Sequence, residues 1–585
     1  MQKKISKENH TIKNTKIKVF QVPVSLEYSE ESIFISDNGN IKYSKEDNEL
    51  VNKAIKSHQN GRLSEASKSY QYLINKNLND PRIFSNYGAI LKSLGKFKEA
   101  EFYFRKAISI QPNFSDAYNN LGSIMMDLNR LHEAELYIRK SIQLKPNNPE
   151  ALSNMGNILN NLGKTKEAKI FVNKAIELNP NHAMAYSNLG GILMNLGKLK
   201  NAELSIRKAI ELNPNLPEAY NNLGNILKDI GRLEESEKFQ IKAIEMRTDY
   251  AKAYFDLSTL QYSNNNLTWK NRLFSRKILA NKPLKDKVDI YFARANVLHK
   301  EKDFINSGKH LVLANKYKLD LKPSNYDFLI KNSKDLFIES CEEDENKNYL
   351  VQNNDLQNIF IVGMPRSGST LLESIISMNI DVEDLGETDL LRESYMEWKK
   401  IKKANNKSTL YDIYYKNVNT NQSELRIKTN KNLYNYQYVG IIAKYIPNAR
   451  IIHCYRNALD NILSIYQTHF AKGNQYSSSL IDITKIYLDQ ENLLKKYKEK
   501  YRSKIYDWNY DTLVSNPKKE ITSLINWLGW EWKDSYLSPH MNTRSVQTAS
   551  NVQVRSPINM KSVGRWKNYK KILQPVLEIL TKNDI

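Results

Sequence analysis

Between residues 47 and 321 the apolar positions recur at helical steps of three and four, in short blocks separated by polar turns, which predicts a run of paired amphipathic helices. The pattern also repeats at long range. Gly88, Gly122, Gly156, Gly190 and Gly224 stand 34 residues apart, and the same period carries Pro112, Pro146, Pro180 and Pro214 and the small residues Ala100, Ala134, Ala168, Ala202 and Ser236. Small residues let two helices approach closely, Gly95, Gly163, Gly197 and Gly231 mark the turn inside each pair, and the prolines open the connection to the next. Five clear units run over about residues 81–250, a degenerate one precedes them from about 47, and two weaker ones extend to about 321. Residues 322–357 read as a charged connector that begins helically. From 358 to 464 the pattern changes to strand, loop and helix in alternation, the signature of a parallel sheet in a three-layer α/β core. The chain is thus divided into a polar N-terminal extension (1–46), a helical-repeat superhelix (47–321), a connector (322–357) and an α/β domain (358–585).

Thirty-four is the period of tetratricopeptide (TPR) repeats, which the N-terminal half resembles. No single repeat buries its own apolar face, so a stack forms one superhelix with a long concave surface where a polypeptide partner would lie. Two residues before each periodic glycine stands an asparagine, namely Asn86, Asn120, Asn154, Asn188 and Asn222. Placed on the groove, these carboxamides would bond an extended peptide backbone whatever its side chains. They resemble the asparagine ladder in the TPR array of O-linked N-acetylglucosamine transferase. Simple duplication within an asparagine-rich chain is the alternative.

Composition narrows the function classes. The 585 residues are 41% hydrophobic, enough for a core, and carry a net charge of +23 that favours anionic ligands. The basic residues are interspersed with acidic ones, without an arginine-rich run or zinc-finger spacing, so nucleic acid is not expected as a partner. Cys341 and Cys454 are the chain's two cysteines, far apart, so no disulfide framework is expected and a reducing compartment fits. The N-terminus lacks a signal-peptide apolar stretch and no run of about 18 apolar residues occurs, so a cytoplasmic protein without a membrane span is expected. With no H-E-x-x-H, no C-x-x-C and scattered histidines, no metal is expected.

Residues 359–372, IFIVGMPRSGSTLL, carry the chemistry. An apolar strand feeding a tight Gly/Ser/Thr loop at a helix start aims backbone N–H groups, hydroxyls and the positive helix end at one point, a cradle for phosphate or sulfate. The loop nearly spells a nucleotide-triphosphate P-loop, but Ser369 stands where the lysine belongs and Arg366 lies inside the loop.

P-R-S-G-[ST]-T resembles the phosphosulfate-binding loop of sulfotransferases, and the match extends over about 210 residues, closest to the tyrosylprotein branch and its TPR-linked bacterial relatives. The resemblance implies a three-layer fold and transfer of a sulfuryl group from 3′-phosphoadenosine 5′-phosphosulfate (PAPS), without a metal. The donor would be held by Pro365, Arg366, Ser367, Gly368, Ser369 and Thr370 in the loop, and by Arg456, Ser464, Tyr510, Ser550 and Arg565 beyond it. In DLGETDLL, Glu387 matches the catalytic base, with Asp389 as alternate in a place where the tyrosylprotein branch has arginine. In TNKNLYNYQYVG, Lys431 matches the catalytic lysine that would act with Arg366 on the leaving oxygen, with Lys428 as alternate. The family's second arginine beyond Arg456 is absent, and Asn457 and Leu459 depart from its pattern. His469 is a weaker candidate base. The favoured acceptor is tyrosine of a polypeptide held by the repeats. A glycan or small-molecule acceptor with the repeats as docking module, or a non-catalytic TPR scaffold, are the alternatives.

Overall fold

The structure is a computed structural model that describes residues 44–260, 268–342, 357–402, 408–419, 425–470, 473–542 and 553–583. It contains two compact units. Among the described residues, the first comprises 44–227, 234–253 and 268–286, and the second the remainder.

The first unit is built of antiparallel helix pairs. Lys45–Gln59 with Leu63–Asn75 opens the series, followed by Pro81–Ser93 with Phe97–Ile110, Ser115–Asp127 with Leu131–Leu144, Pro149–Asn161 with Thr165–Leu178, and Ala183–Asn195 with Leu199–Leu212. Helix starts are fixed locally: Asp80 and Asn148 accept from the amides of Arg82 and Glu150, with Pro81 and Pro149 at the first helical position. The periodic glycines sit where the two helices of a pair touch. A Cβ on Gly156 would lie 2.2 Å from Val172 Cγ2 and 3.0 Å from the Ala168 carbonyl oxygen, so the helices meet backbone to side chain with no room between them. A continuous core threads the pairs, including Tyr70, Phe104, Ile138, Met155 and Val172.

The second unit holds a five-stranded sheet of β1 (Gln357–Gly363), β2 (Val382–Asp384), β3 (Ile427–Asn430), β4 (Ala449–Tyr455) and β5 (Ile505–Asn509), in the order β2-β3-β1-β4-β5, every pair parallel. β1 is central and almost wholly buried, as its unbroken apolar run requires of a parallel strand covered on both faces. Gly363 pairs with Cys454, and Tyr455 with Asn509, which levels the C-terminal ends of β1, β4 and β5. Two apolar layers flank the sheet. One gathers Tyr414, Val439, Ile442 and Tyr497 on Phe360 and Val362, and the other Leu372, Trp508, Leu524 and Tyr536 on Ile359 and Ile361.

Helices Phe304–Leu321 and Tyr326–Cys341 belong to this unit by their packing. Phe292, Leu311 and Leu329 share a core with Ile462, Tyr476, Tyr569 and Leu573. The stretch read as a connector therefore starts as a helix with Ser333 and Leu336 buried, and residues 343–356 lie outside the described ones. No helix among the described residues is long and apolar enough to cross a membrane.

Gly156→Val is expected to lower stability by about 1–3 kcal/mol, because the added side chain must displace Val172 or the Ala168 backbone. Thermal unfolding of the full chain, followed by circular dichroism, measures it.

Candidate functional site

Each of the five strands delivers candidate residues just beyond its C-terminal end, where open parallel sheets bind ligands. Gly363 ends β1 and starts the loop; Glu387 follows β2, Lys431 follows β3, Arg456 follows β4 and Tyr510 follows β5. The loop is shaped by contact. A Cβ on Gly363 would lie 2.2 Å from the Cys454 carbonyl oxygen, and one on Gly368 2.5 Å from the Tyr510 ring. Both glycines have positive φ (143° and 96°), and so does Arg366 (67°), a left-handed conformation that costs a non-glycine residue about 1–3 kcal/mol. Asn461 Nδ2 donates to the Pro365 carbonyl at 2.9 Å and braces the turn. The helix Ser369–Ile376 begins directly after Gly368.

Arg366, Gly368, Thr370, Arg456, Ser464, Tyr510 and Arg565 line one cavity of about 280 Å³, near the lower end for ligand pockets. Arg366 Nε donates to Ser464 Oγ at 3.2 Å and its NH2 to Gln553 Oε1 at 2.8 Å. Arg456 donates to the Ser562 carbonyl at 2.5 Å and stacks over Tyr510, 4.8 Å from the ring centre. Arg565 contacts His299 Nε2, whose other nitrogen meets the Tyr569 hydroxyl at 2.7 Å; burial, then Arg565 and Lys300, lowers the His299 pKa to about 4, so this ring is neutral at physiological pH. Burial, then the like charges of Arg456 and Arg565, lowers the Arg366 pKa to about 10, and burial lowers that of Arg565. Crowded cations of this kind gain from any anion placed among them. Arg456 Nε and Ser367 Oγ are buried with no hydrogen-bond partner among the described residues, donors that suit an anionic ligand.

Glu387 and Lys431 form a second cluster. Lys431 N donates to the Gly386 carbonyl at 3.1 Å, extending the β2–β3 ladder so that Lys431 Nζ reaches Glu387 Oε1 at 3.3 Å. Lys431 Nζ also meets Glu373 Oε2 at 2.7 Å. Lys428, the alternate lysine, is instead spent on Glu383. Asp389, the alternate base, is held by Arg392 and Asn432, each at 2.8 Å. His469 is half-buried, bonded to Asp289 at 2.9 Å and stacked on Phe292, and does not line the cavity. Asn457 caps the helix Ala458–Tyr466, and Leu459 packs into the core, so neither departure leaves a hole. Ser550 lies outside the described residues.

Sequence reasoning missed Glu373, Gln553 and Asp460. Asp460 accepts from the amides of Gly564 (2.6 Å) and Trp566 (2.9 Å), so one buried carboxylate pins the segment bearing Arg565 beside Arg456. An acidic residue in a first helical turn reads as a cap, which hid this role. Glu373 sits among apolar residues of the loop helix and carried no signal beyond its being charged there.

The periodic asparagines bond between repeats. Asn154 Nδ2 donates to Asn119 Oδ1 at 3.0 Å, Asn188 to Ser153 Oγ at 2.9 Å, Asn222 to Ser187 Oγ at 3.2 Å and Asn120 to Ser85 Oγ at 3.4 Å. The amides tie each repeat to the one before, and Asn86, Asn120 and Asn154 are buried.

Residues 358–534 match the sulfotransferase family, and residues 81–114, 115–148, 149–182, 183–216 and 206–238 match tetratricopeptide repeats. The C-terminal unit carries a sulfotransferase-family domain. An uncharacterized protein of Aquifex aeolicus (strain VF5) is 29% identical over 324 residues, 51% of this chain and 42% of that protein. This chain thus spans less than half of that relative. A Caenorhabditis briggsae protein named "putative protein-tyrosine sulfotransferase" is 25% identical over 236 residues, 36% of this chain and 80% of its own. Among solved structures, YrrB, titled a TPR protein with an unusual peptide-binding site, shares 24% identity, with a TM-score of 0.24, over 32% of this chain and 96% of its own. A thermophilic TPR protein of Thermus thermophilus shares 21%, with a TM-score of 0.28, over 30% and 98%.

Asp460→Asn is expected to replace two charge-assisted hydrogen bonds by weaker ones and to cost about 1–3 kcal/mol locally. Amide hydrogen exchange at Gly564 and Trp566 should speed up, with the sheet amides unchanged.

Proposed function

We propose that this protein is a PAPS-dependent sulfotransferase acting on a hydroxyl, with tyrosine of a polypeptide as the favoured acceptor. The observation that carries the reading is the convergence of Arg366, Arg456 and Arg565 on one cavity at the head of a parallel sheet, beside a buried lysine that contacts a carboxylate. In this reading Arg456, Ser464 and Tyr510 bind the 3′-phosphate side of the donor, with Arg565 beside them, and the loop from Pro365 to Thr370 binds the 5′ side. Glu387 takes the proton of the acceptor hydroxyl as its oxygen bonds to sulfur. The bond from sulfur to the bridging oxygen breaks, its electron pair stays on the adenosine 3′,5′-bisphosphate, and Lys431 and Arg366 hold the charge that gathers there. Preorganised cations suit this chemistry because the charge moves and the protein need not.

The acceptor class rests on the TPR repeats, a scaffold that binds polypeptide in extended grooves. It is supported also by the likeness to the Caenorhabditis briggsae protein. With the asparagine donors engaged between repeats, peptide recognition falls to the remaining surface of the groove.

Calorimetric titration of adenosine 3′,5′-bisphosphate, with 5′-AMP as control, tests the reading. The wild type is expected to prefer the bisphosphate, and Arg456→Ala to weaken it by roughly 10- to 100-fold, the worth of a hydrogen bond to a charged group. Equal binding of AMP, or none of either, overturns it.

A further inference from the structure

Glu373 is a buried carboxylate outside the lining of the donor cavity. It lies in the helix Ser369–Ile376, one turn beyond Ser369 and Thr370, is 2% exposed, and meets Lys431 Nζ at 2.7 Å. Lys431 is 1% exposed, whereas the Glu387 side chain is half exposed and its oxygen stands farther from the same ammonium, at 3.3 Å. An ion pair sealed from water is costly to keep, and removing one partner is costlier still. Lys431 therefore stands between two carboxylates of different character: one buried and fixed to the helix that begins at the anion loop, the other open to solvent.

We infer that Glu373 is a positioning residue that keeps Lys431 charged and aimed, and so leaves the Glu387 carboxylate available as a base. This rests on the sulfotransferase reading above. Without Glu373 the ammonium would have Glu387 as its one remaining carboxylate partner among those described, and the closer ion pair between them would withdraw the base from an incoming hydroxyl. The groups facing Lys431 agree with this role. Burial opposes its charge, Glu373 and Glu387 outweigh burial, and its pKa stands above that of ordinary lysine. Cys454 on β4 is a further titratable neighbour, and burial pushes its thiol up, so it stays neutral and does not compete. Lys428 is engaged by Glu383.

The test compares wild type, Glu373→Gln and Glu373→Asp in the full chain, with labelled PAPS and a tyrosine-containing peptide, over pH 6 to about 10. Bisphosphate affinity, measured beside it, reports the donor site and the fold. Glu373→Gln is expected to keep bisphosphate affinity within about threefold, to lower kcat by about 100-fold, and to bring an alkaline fall in kcat to lower pH, because a lysine stripped of its partner loses its proton sooner. Glu373→Asp should restore the alkaline limb while recovering kcat in part. Unchanged kcat and pH profile in Glu373→Gln overturn the inference and leave the sulfotransferase reading intact. A wild type that binds no bisphosphate overturns that reading instead. Should Glu373→Gln fail to fold, Glu373→Leu combined with Lys431→Met decides: a double variant with a higher Tm than either single one supports the pairing, and additive losses refute it.

Discussion

Three guanidinium groups converge on one cavity, and like charges do not gather unless the fold compels them. What compels them is the levelled C-terminal edge of the sheet: β1, β4 and β5 end together, so Arg366, Arg456 and the ring of Tyr510 emerge side by side. Two close approaches fix the geometry, Gly363 against the Cys454 carbonyl and Gly368 against Tyr510, and they leave no space for a side chain at either glycine. The repulsion is balanced by a buried carboxylate and by carbonyls. Asp460 holds the segment carrying Arg565, Ser562 accepts from Arg456, and neutral His299 rather than a charged group receives Arg565. The site is thus an assembly of donors in which three cations are held close together by the backbone.

Much of this was legible in the sequence, and the reason is local. Gly363, Gly368 and the apolar run before them announce a strand, a turn and a helix start within a dozen residues, and Arg456 follows a recognisable strand, whereas the strand before Tyr510 emerged from the structure. The 34-residue period likewise exposes the helix pairs, because each glycine must meet its partner helix at the same depth. Glu373 and Asp460 were illegible because their meaning is tertiary. Glu373 acquires it from a lysine 58 positions away, and Asp460 from amides more than 100 positions on. The asparagine ladder is a different case: the period marked one face, and on that tightly stacked face the carboxamides bond the neighbouring repeat. Lys428 and Lys431 were indistinguishable by type, and the parity of the strand separated them. Lys428 lies within β3 and turns to Glu383, whereas Lys431 falls just past its end.

In the reaction proposed above, the burial of Lys431 and the exposure of Glu387 would divide the labour of the chemistry. A cation that must hold charge on a leaving group acts more strongly away from water, where its field is less screened, and a lysine can stay charged there only if a carboxylate stays with it. A base that is to meet an acceptor hydroxyl arriving from solvent has the opposite need. The two requirements conflict if one ammonium is to serve both groups, because a lone Lys431–Glu387 pair would bury the base or drown the cation. A second carboxylate resolves the conflict. Glu373 supplies it from the helix that begins at the anion loop, so the element that presents backbone amides to an anion also holds the lysine, and one rigid piece sets the distance between the two halves of the site.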